Sequence, residues 1–362
     1  MNAASNDVPD FVTQAGPLRE LVESELAKLF TPEGLLTDAE VPPGLAEPMR
    51  YALLGGGKRL RPVLCLAACQ AVCGDPAPAL PAALAIEVLH NYTLVHDDLP
   101  CMDDDALRRG RPTVHAKYGY GQAVLVGDAL QAAAFQLVLT PPKSHAESTE
   151  FVSHAESAET AESGSPAGGA AERSEAEGVI QHSASGIQHS LCMALARAAG
   201  PAGVVGGQWV DVTRSPPHDE ARVAYVHAHK TGDLIACACE MGALAGCAAV
   251  AEGFGETSPR SLVSAARDYG RALGLAFQII DDLLDAEDPA KASELSILRV
   301  ATPEEARARA RAATERALRA LDALAAIPAG RTESPDGRAP SRPNAALALL
   351  RSLAEDQLSR TL

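Results

Sequence analysis

Two acidic clusters close apolar runs in this chain. Asp97-Asp98-Leu99-Pro100-Cys101-Met102-Asp103 follows Ala82 to Val95, and Asp281-Asp282-Leu283-Leu284-Asp285 follows Ala272 to Ile280. Such runs predict helices with a buried face, so the carboxylates at their ends lose hydration and repel one another unless a cation compensates them. The hard ion Mg²⁺ suits this role, held by one or two carboxylates from each side with phosphate oxygens completing its shell. Asp281 and Asp285 are i, i+4 neighbours on one helical face, about 5–6 Å apart at Cβ. Asp97 and Asp103 diverge on an ideal helix, but Pro100 cannot continue one, and a distorted last turn would bring them back together. One acidic pair is more often a solvated face. Two pairs, each closing an apolar helix, point to a multi-metal cup for a diphosphate.

Basic residues gather beside the first cluster. Leu107-Arg108-Arg109-Gly110-Arg111-Pro112-Thr113 follows it, and Gly55-Gly56-Gly57-Lys58-Arg59-Leu60-Arg61-Pro62 precedes it. In a chain of net charge −16, this concentration suggests an anion site, and the arginine fork matches phosphate with two parallel hydrogen bonds. The glycine run allows close backbone approach, although alone it reads as an inter-helix turn. It lacks the Lys-Ser/Thr spacing of a nucleotide phosphate loop.

Alanine and leucine dominate, aromatics are 4% of the chain, and apolar residues rarely alternate with polar ones, which predicts an all-α fold without strands. Helical periodicity runs through Pro17–Phe30, Pro43–Leu54, Arg61–Val72, Leu80–Leu99, Gly121–Leu139, Ser190–Ala199, Glu220–Ala249, Leu262–Leu284, Pro303–Ala326 and Asn344–Leu358. These form a single large helical bundle of about ten helices over residues 1–362, with its sites between facing helices. Residues 140–190 are Ser/Ala/Glu/Gly-rich and hold two internal echoes: Ser144 to Ser148 returns as Ser153 to Ser157, and Ile180 to Ser183 as Ile187 to Ser190. Too few apolar side chains offset ordering entropy there, so a disordered insertion is expected. Residues 327–343 read as a flexible loop before the last helix.

The acidic balance argues against nucleic acid. Met1 to Gly16 lacks the basic segment and apolar core of a signal peptide, and no uninterrupted apolar stretch is long enough to span a bilayer, so a cytoplasmic protein is expected. Cys65, Cys69 and Cys73 recur every four residues on one helical face and read as small core fillers, as do Cys237 and Cys239. None of the eight cysteines has zinc-binding spacing.

The ordered set GGKRLRP, HDDLPCMDDD–LRRGRPT, GDAL (Gly127 to Leu130), GGQ with Asp211, HKTG (His229 to Gly232) and FQIIDDLLD resembles the short-chain trans-prenyl diphosphate synthases, most closely the bacterial farnesyl diphosphate synthases. The resemblance runs from about Leu53 to Asp285 and implies the isoprenoid-synthase bundle. It implies two or three Mg²⁺ ions held by Asp97, Asp98, Asp103, Asp281, Asp282 and Asp285. It places Lys58, Arg61, His90 and Arg109 at an isopentenyl diphosphate site and Arg108 at the allylic diphosphate. Lys230, Thr231 and Gln278 fall beside the allylic substrate, where they favour the developing cation. Lys291, the last lysine of the chain, is the candidate for a diphosphate contact that the family makes after its second motif. The implied activity condenses isopentenyl diphosphate with dimethylallyl or geranyl diphosphate to give mainly farnesyl diphosphate, with Tyr92 as the floor of the prenyl pocket, and the implied assembly is a homodimer. Alternatives are a geranylgeranyl diphosphate synthase and a non-catalytic subunit of a heteromer. A phosphohydrolase around His96-Asp97 would need further metal histidines, and a terpene cyclase would not need a complete isopentenyl diphosphate site.

Overall fold

A computed structural model describes residues 11–32, 34–36, 41–140, 184–213, 219–250, 259–287, 295–326 and 343–359. The fold is all-α, as expected. Its helices are α1 (Phe11–Lys28), α2 (Pro43–Leu53), α3 (Leu60–Cys73), α4 (Leu80–Asp97), α5 (Val114–Tyr118), α6 (Tyr120–Leu139), α7 (Ala184–Ala199), α8 (Val204–Val212), α9 (Glu220–Val226), α10 (Asp233–Ala249), α11 (Pro259–Leu284), α12 (Pro303–Ala326) and α13 (Pro343–Ser359). Most of the 140–190 insertion, the 327–343 loop up to residue 342, and Lys291 lie outside the described residues.

Four differences from the sequence reading have physical causes. A two-residue antiparallel ladder, β1 (Leu107–Arg108) with β2 (Arg111–Pro112), was not expected. It turns at Arg109-Gly110, both at positive φ (53° and 73°), the geometry of a tight hairpin and too short to leave an alternation signal. Helix α8 forms although its paired glycines lower helix propensity, because tertiary packing outweighs that preference. Helix α7 begins at Ala184 rather than Ser190. The second echo therefore lies inside a helix, where Ile187 packs on the core and Gln188 Nε2 donates to the Leu139 carbonyl at 2.9 Å. The predicted helix Glu220–Ala249 is three pieces, α9, a π-helical stretch His227–Gly232, and α10.

Helix α10 lies at the centre, with every residue from Leu234 to Cys247 buried. Its alanines, glycines and cysteines are what close packing against α3, α7 and α11 requires, since small side chains let helix axes approach. Cys65, Cys69 and Cys73 are buried and free, as core filling predicts. The main core joins these helices to α1, α4, α6 and α13. A smaller cluster (Val223, Ile279, Ile280, Ile297, Ala306 and Ala310) lies beside the second acidic motif.

Among the described residues, two helical runs are long and apolar enough to cross a membrane, α6 and the span Glu220–Ala249. Polar residues such as Asp128 and Lys230 interrupt both, which is why the sequence shows no uninterrupted apolar stretch of that length. The second is a core helix, 83% buried, whereas α6 is 44% buried and leaves Tyr120, Val124, Leu125 and Leu139 exposed.

Candidate active site

The first acidic motif begins where α4 stops. Pro100 ends the helix, and the chain folds back so that the Asp103 amide donates to the Asp97 carbonyl at 2.9 Å while the Asp104 amide reaches Leu99 at 3.1 Å. This is the distorted turn anticipated above, and it joins Asp97 and Asp103 through one backbone hydrogen bond. Burial pushes the Asp97 carboxyl up to about 7; Lys230 draws it back down, and the nearby charge of Asp103 adds to the rise. The Asp103 carboxyl is also raised by burial, with Lys230 opposing. Burial thus outweighs the compensation that Lys230 supplies.

Asp98 is placed differently. It is 3% exposed and accepts from Arg108 Nε at 2.6 Å. It tethers Arg108, which begins the turn of the hairpin. Its carboxyl is still raised by burial, with the Arg108 hydrogen bond only partly opposing.

The second motif closes α11. Asp281 is half-buried, and Asp285 begins a 3₁₀ turn, Asp285–Glu287, that lines the same polar cavity as Asp103. Asp282, also expected to bind metal, is already engaged by the protein. It is buried, its Oδ2 accepts from the Ile297 amide at 2.6 Å, and its Oδ1 accepts from Gln278 Nε2 at 3.3 Å. His227 Nε2 stands 3.1 Å from Oδ2, an ion-pair distance without hydrogen-bond alignment. This anchoring lets Asp282 orient the end of α11 beside Asp281 and Asp285.

Between the motifs lies the π-helical stretch. Lys230 Nζ contacts Asp211 Oδ2 at 2.5 Å, and Thr231 Oγ1 donates to Gln278 Oε1 at 2.8 Å. Burial would lower the Lys230 ammonium, but the charge and hydrogen bond of Asp211, with Asp97 and Asp103 beyond, raise it above its usual value. Such π-helical stretches recur at functional sites, and here Lys230 and Thr231 both line the cavities described below. Gly207 of α8 makes this possible: a Cβ there would fall 2.2 Å from the Lys230 amide nitrogen. The sequence reading gave no role to Asp211, whose signal was its place after paired glycines.

The basic residues form a separate cup. Arg61 Nη1 donates to His90 Nε2 at 3.0 Å, which requires a neutral acceptor nitrogen on His90. Burial, then the charges of Arg61 and Arg109, drive the His90 pKa well below its ordinary value. Arg61 itself is lowered to about 10 by burial, with Glu87 opposing. Lys58 is exposed at the rim, and Arg109 Nη1 rests on the Gly56 carbonyl.

Two cavities join these groups. A polar one of about 420 Å³ holds Asp103, Asp211, Gln278, Asp282 and Asp285. A largely apolar one of about 470 Å³ runs past Tyr92, Thr93 and His96 of α4 and Val205, Gln208 and Trp209 of α8, and also reaches Arg61, His90 and Asp97. Both are lined by Met102, Val212, Lys230 and Thr231, so they meet beside the π-helical stretch.

From the acidic motifs, the carboxylates of Asp103, Asp282 and Asp285 line the polar cavity, together with the sulfur side chains of Cys101 and Met102. Among the described residues no three such side chains form a ready-made cage. The carboxylates fit Mg²⁺, which dehydrates reluctantly and is usually held by one or two carboxylates together with substrate phosphates, whereas the sulfur atoms do not suit so hard an ion.

Comparison with known proteins agrees with this geometry. The structure resembles the FPP/GFPP synthase of Zymomonas mobilis (TM-score 0.66, 30% identity, 96% of this chain and 98% of that one). It also resembles a geranyltransferase of Helicobacter pylori complexed with magnesium and isoprenyl diphosphate (TM-score 0.63, 26% identity, 99% and 98%). A geranylgeranyl pyrophosphate synthase of Arabidopsis thaliana is 38% identical over 251 residues, 68% of this chain and 57% of the relative. The chain thus spans about half the length of the curated relatives it matches. The polyprenyl synthetase profile covers residues 42–163 and 183–294, taking in both acidic motifs, the basic cup and the π-helical stretch, and the chain belongs to the polyprenyl synthetase family.

Proposed function

We propose that the protein is a Mg²⁺-dependent trans-prenyltransferase that condenses isopentenyl diphosphate with an allylic diphosphate and releases mainly farnesyl diphosphate. One observation carries this reading: an apolar cavity that reaches Arg61 and His90 meets the polar cavity of the acidic motifs beside Lys230 and Thr231. Two diphosphates with hydrocarbon tails need that arrangement, one bound by cations of the protein and the other through metal.

Asp97, Asp103, Asp281 and Asp285 would hold the ions, which supply Lewis-acid neutralisation of the departing diphosphate. Lys230 is aimed at the same cup and shares its charge with Asp211 until an anion arrives. Thr231 and Gln278 present oxygen dipoles, pre-set by their mutual hydrogen bond, beside the place where the allylic carbon becomes positive. Arg61, Lys58 and Arg109 hold the isopentenyl diphosphate so that its double bond faces that carbon, and the apolar walls exclude water that would trap the cation. The exposed apolar residues Val124 and Leu125 of α6 suit a second copy of the chain.

A geranylgeranyl product is the second reading, favoured by the likeness to the Arabidopsis geranylgeranyl pyrophosphate synthase. The test is incorporation of labelled isopentenyl diphosphate with dimethylallyl, geranyl and farnesyl diphosphates as separate primers, with and without Mg²⁺, followed by chromatography of the dephosphorylated products. Consumption of the first two primers with accumulation of a C15 alcohol supports the proposal. Uptake of the farnesyl primer to C20 selects the second reading. No turnover with any primer sinks both.

A further inference from the structure

Arg59 sits between the two cations expected at the diphosphate, yet it faces inward. It is 2% exposed and has φ +50°, a left-handed conformation that a non-glycine residue adopts only when its surroundings impose it. Those surroundings are a three-sided clamp. Arg59 Nε and Nη2 donate to the two carboxylate oxygens of Glu23 on α1 at 2.9 and 3.2 Å. Nη1 donates to Glu87 on α4 at 2.7 Å, and Nη2 also reaches the Leu53 carbonyl at 2.7 Å. Glu87 is itself buried and takes a further hydrogen bond from Asn91 Nδ2 at 3.3 Å.

The clamp reaches the substrate cup by two routes. One is the backbone: Lys58 and Arg61 flank the clamped residue, so fixing Arg59 fixes where both emerge. The other is Arg109. Gly56 and Gly57, at φ +80° and +131°, shape the loop before Arg59. A Cβ on Gly57 would lie 2.5 Å from Arg109 Nη1, so the Arg109 guanidinium fills the space that the glycine leaves. The two guanidiniums differ accordingly. Burial would lower Arg59, but the Glu23 hydrogen bonds and the Glu87 charge leave it above its ordinary value. Arg61 has only the more distant Glu87 charge, and its buried Nε has no partner. Arg59 is satisfied by the protein, whereas Arg61 awaits an anion.

We propose that Arg59, clamped by Glu23 and Glu87, is a positioning residue for the isopentenyl diphosphate cup. It sets the spacing of Lys58, Arg61 and Arg109 without touching substrate, and it makes the N-terminal helix α1 a working part of that site. The inference rests on the reading of this cup given above.

Full-length Glu23→Gln and Arg59→Lys test it. Glu23 is the safer change because its side chain is 37% exposed, and Arg59→Lys keeps the charge but loses the fork that spans both carboxylates. Each should raise KM for isopentenyl diphosphate about tenfold, the effect of one charge-assisted hydrogen bond. The thermal midpoint is followed in parallel, and KM for geranyl diphosphate and kcat should stay within about twofold, since uniform binding at one subsite is all that is lost. A lower thermal midpoint with unchanged KM for isopentenyl diphosphate, or equal rises for both substrates, overturns the proposal and leaves Arg59 a purely structural residue. Calorimetric titration of metal-free wild type and variants with isopentenyl diphosphate separates the two claims. Wild-type binding without turnover refutes the catalytic reading while the variants still decide the clamp. No binding by the wild type refutes both.

Discussion

Replacing Tyr92 with alanine should lengthen the product by one isoprene unit, and the cavity supplies the magnitude. Tyr92 lies on α4 five residues before Asp97, half-buried, with its ring packed edge-on against His96 at 5.1 Å between centroids. Both rings line the apolar cavity of about 470 Å³. A protein cavity of about 150 Å³ accommodates benzene, six carbons, so this one accommodates roughly eighteen. Part of that volume lies at the head-group end beside Arg61, His90 and Asp97, so the space for a tail is of the order that a C15 chain fills. A phenol ring occupies about the volume of benzene, so its removal opens room for roughly five or six carbons, one more condensation. The assay is product chromatography after dephosphorylation, with geranyl diphosphate as primer and excess isopentenyl diphosphate. A shift of the main peak from C15 to C20 is expected. Tyr92→Phe, which keeps the ring, should leave the distribution unchanged. An unaltered C15 peak in Tyr92→Ala would refute the volume reasoning, because the tail would then end against some other wall.

Three further outcomes follow from the same geometry. Asp97→Asn should lower kcat by at least about a hundredfold at saturating Mg²⁺ with helical circular dichroism unchanged, since a ligand rather than core packing is removed; a near-wild-type rate would remove Asp97 from the metal site. Arg61→Ala should raise KM for isopentenyl diphosphate by the equivalent of about 1.5–3 kcal/mol and leave the allylic KM alone; equal effects would move it to the other subsite. The pH dependence of metal-free stability is the third. The folded Asp97 pKa, about 7, lies above its ordinary 3.8, and those of Asp98 and Asp103 are raised in the same direction. A raised carboxyl pKa means that the folded state binds the proton more tightly. Its stabilising contribution is therefore complete below the ordinary value and lost as pH rises through about 7. Scanning calorimetry of metal-free protein should show the midpoint falling between about pH 4 and pH 7, with Asp97→Asn flattening the slope. An identical slope in that variant would contradict the assignment.

The two acidic motifs were legible because carboxylates at the end of an apolar helix violate the pattern around them. The all-α fold was legible from composition and period. What was hidden depended on contacts between distant segments. Asp98 and Asp282 look like their neighbours in sequence, yet Arg108 engages one and the Ile297 amide the other. Separating ligand-like from anchoring aspartates required knowing which backbone and side-chain donors folding would bring near. The hairpin at Arg109-Gly110 and helix α8 escaped notice for another reason: each is shaped by packing that local propensity does not register. Glu87 was visible in principle, as an acidic residue within the apolar run Ala82 to Val95. A buried carboxylate demands a cation, and Arg59 is that cation.

The same logic relates the two cups. In the basic cup each clamped or neutral partner, Arg59 with its glutamates and His90 with its acceptor nitrogen, leaves Arg61 poised without a carboxylate of its own. In the acidic cup Lys230 is shared with Asp211, yet Asp97 and Asp103 remain under-compensated enough for their carboxyls to stay raised. Each cup therefore carries an unbalanced charge that the protein alone does not neutralise. On the proposed reading, a diphosphate would correct the first, and a diphosphate arriving with divalent metal the second. Transposing the substrates would place a bare dianion among carboxylates and crowd metal against guanidiniums, at a cost of several kcal/mol in a partly buried site. Under the proposed function, discrimination between two substrates that share a head group would thus rest on the uncompensated charges rather than on the shape of either pocket.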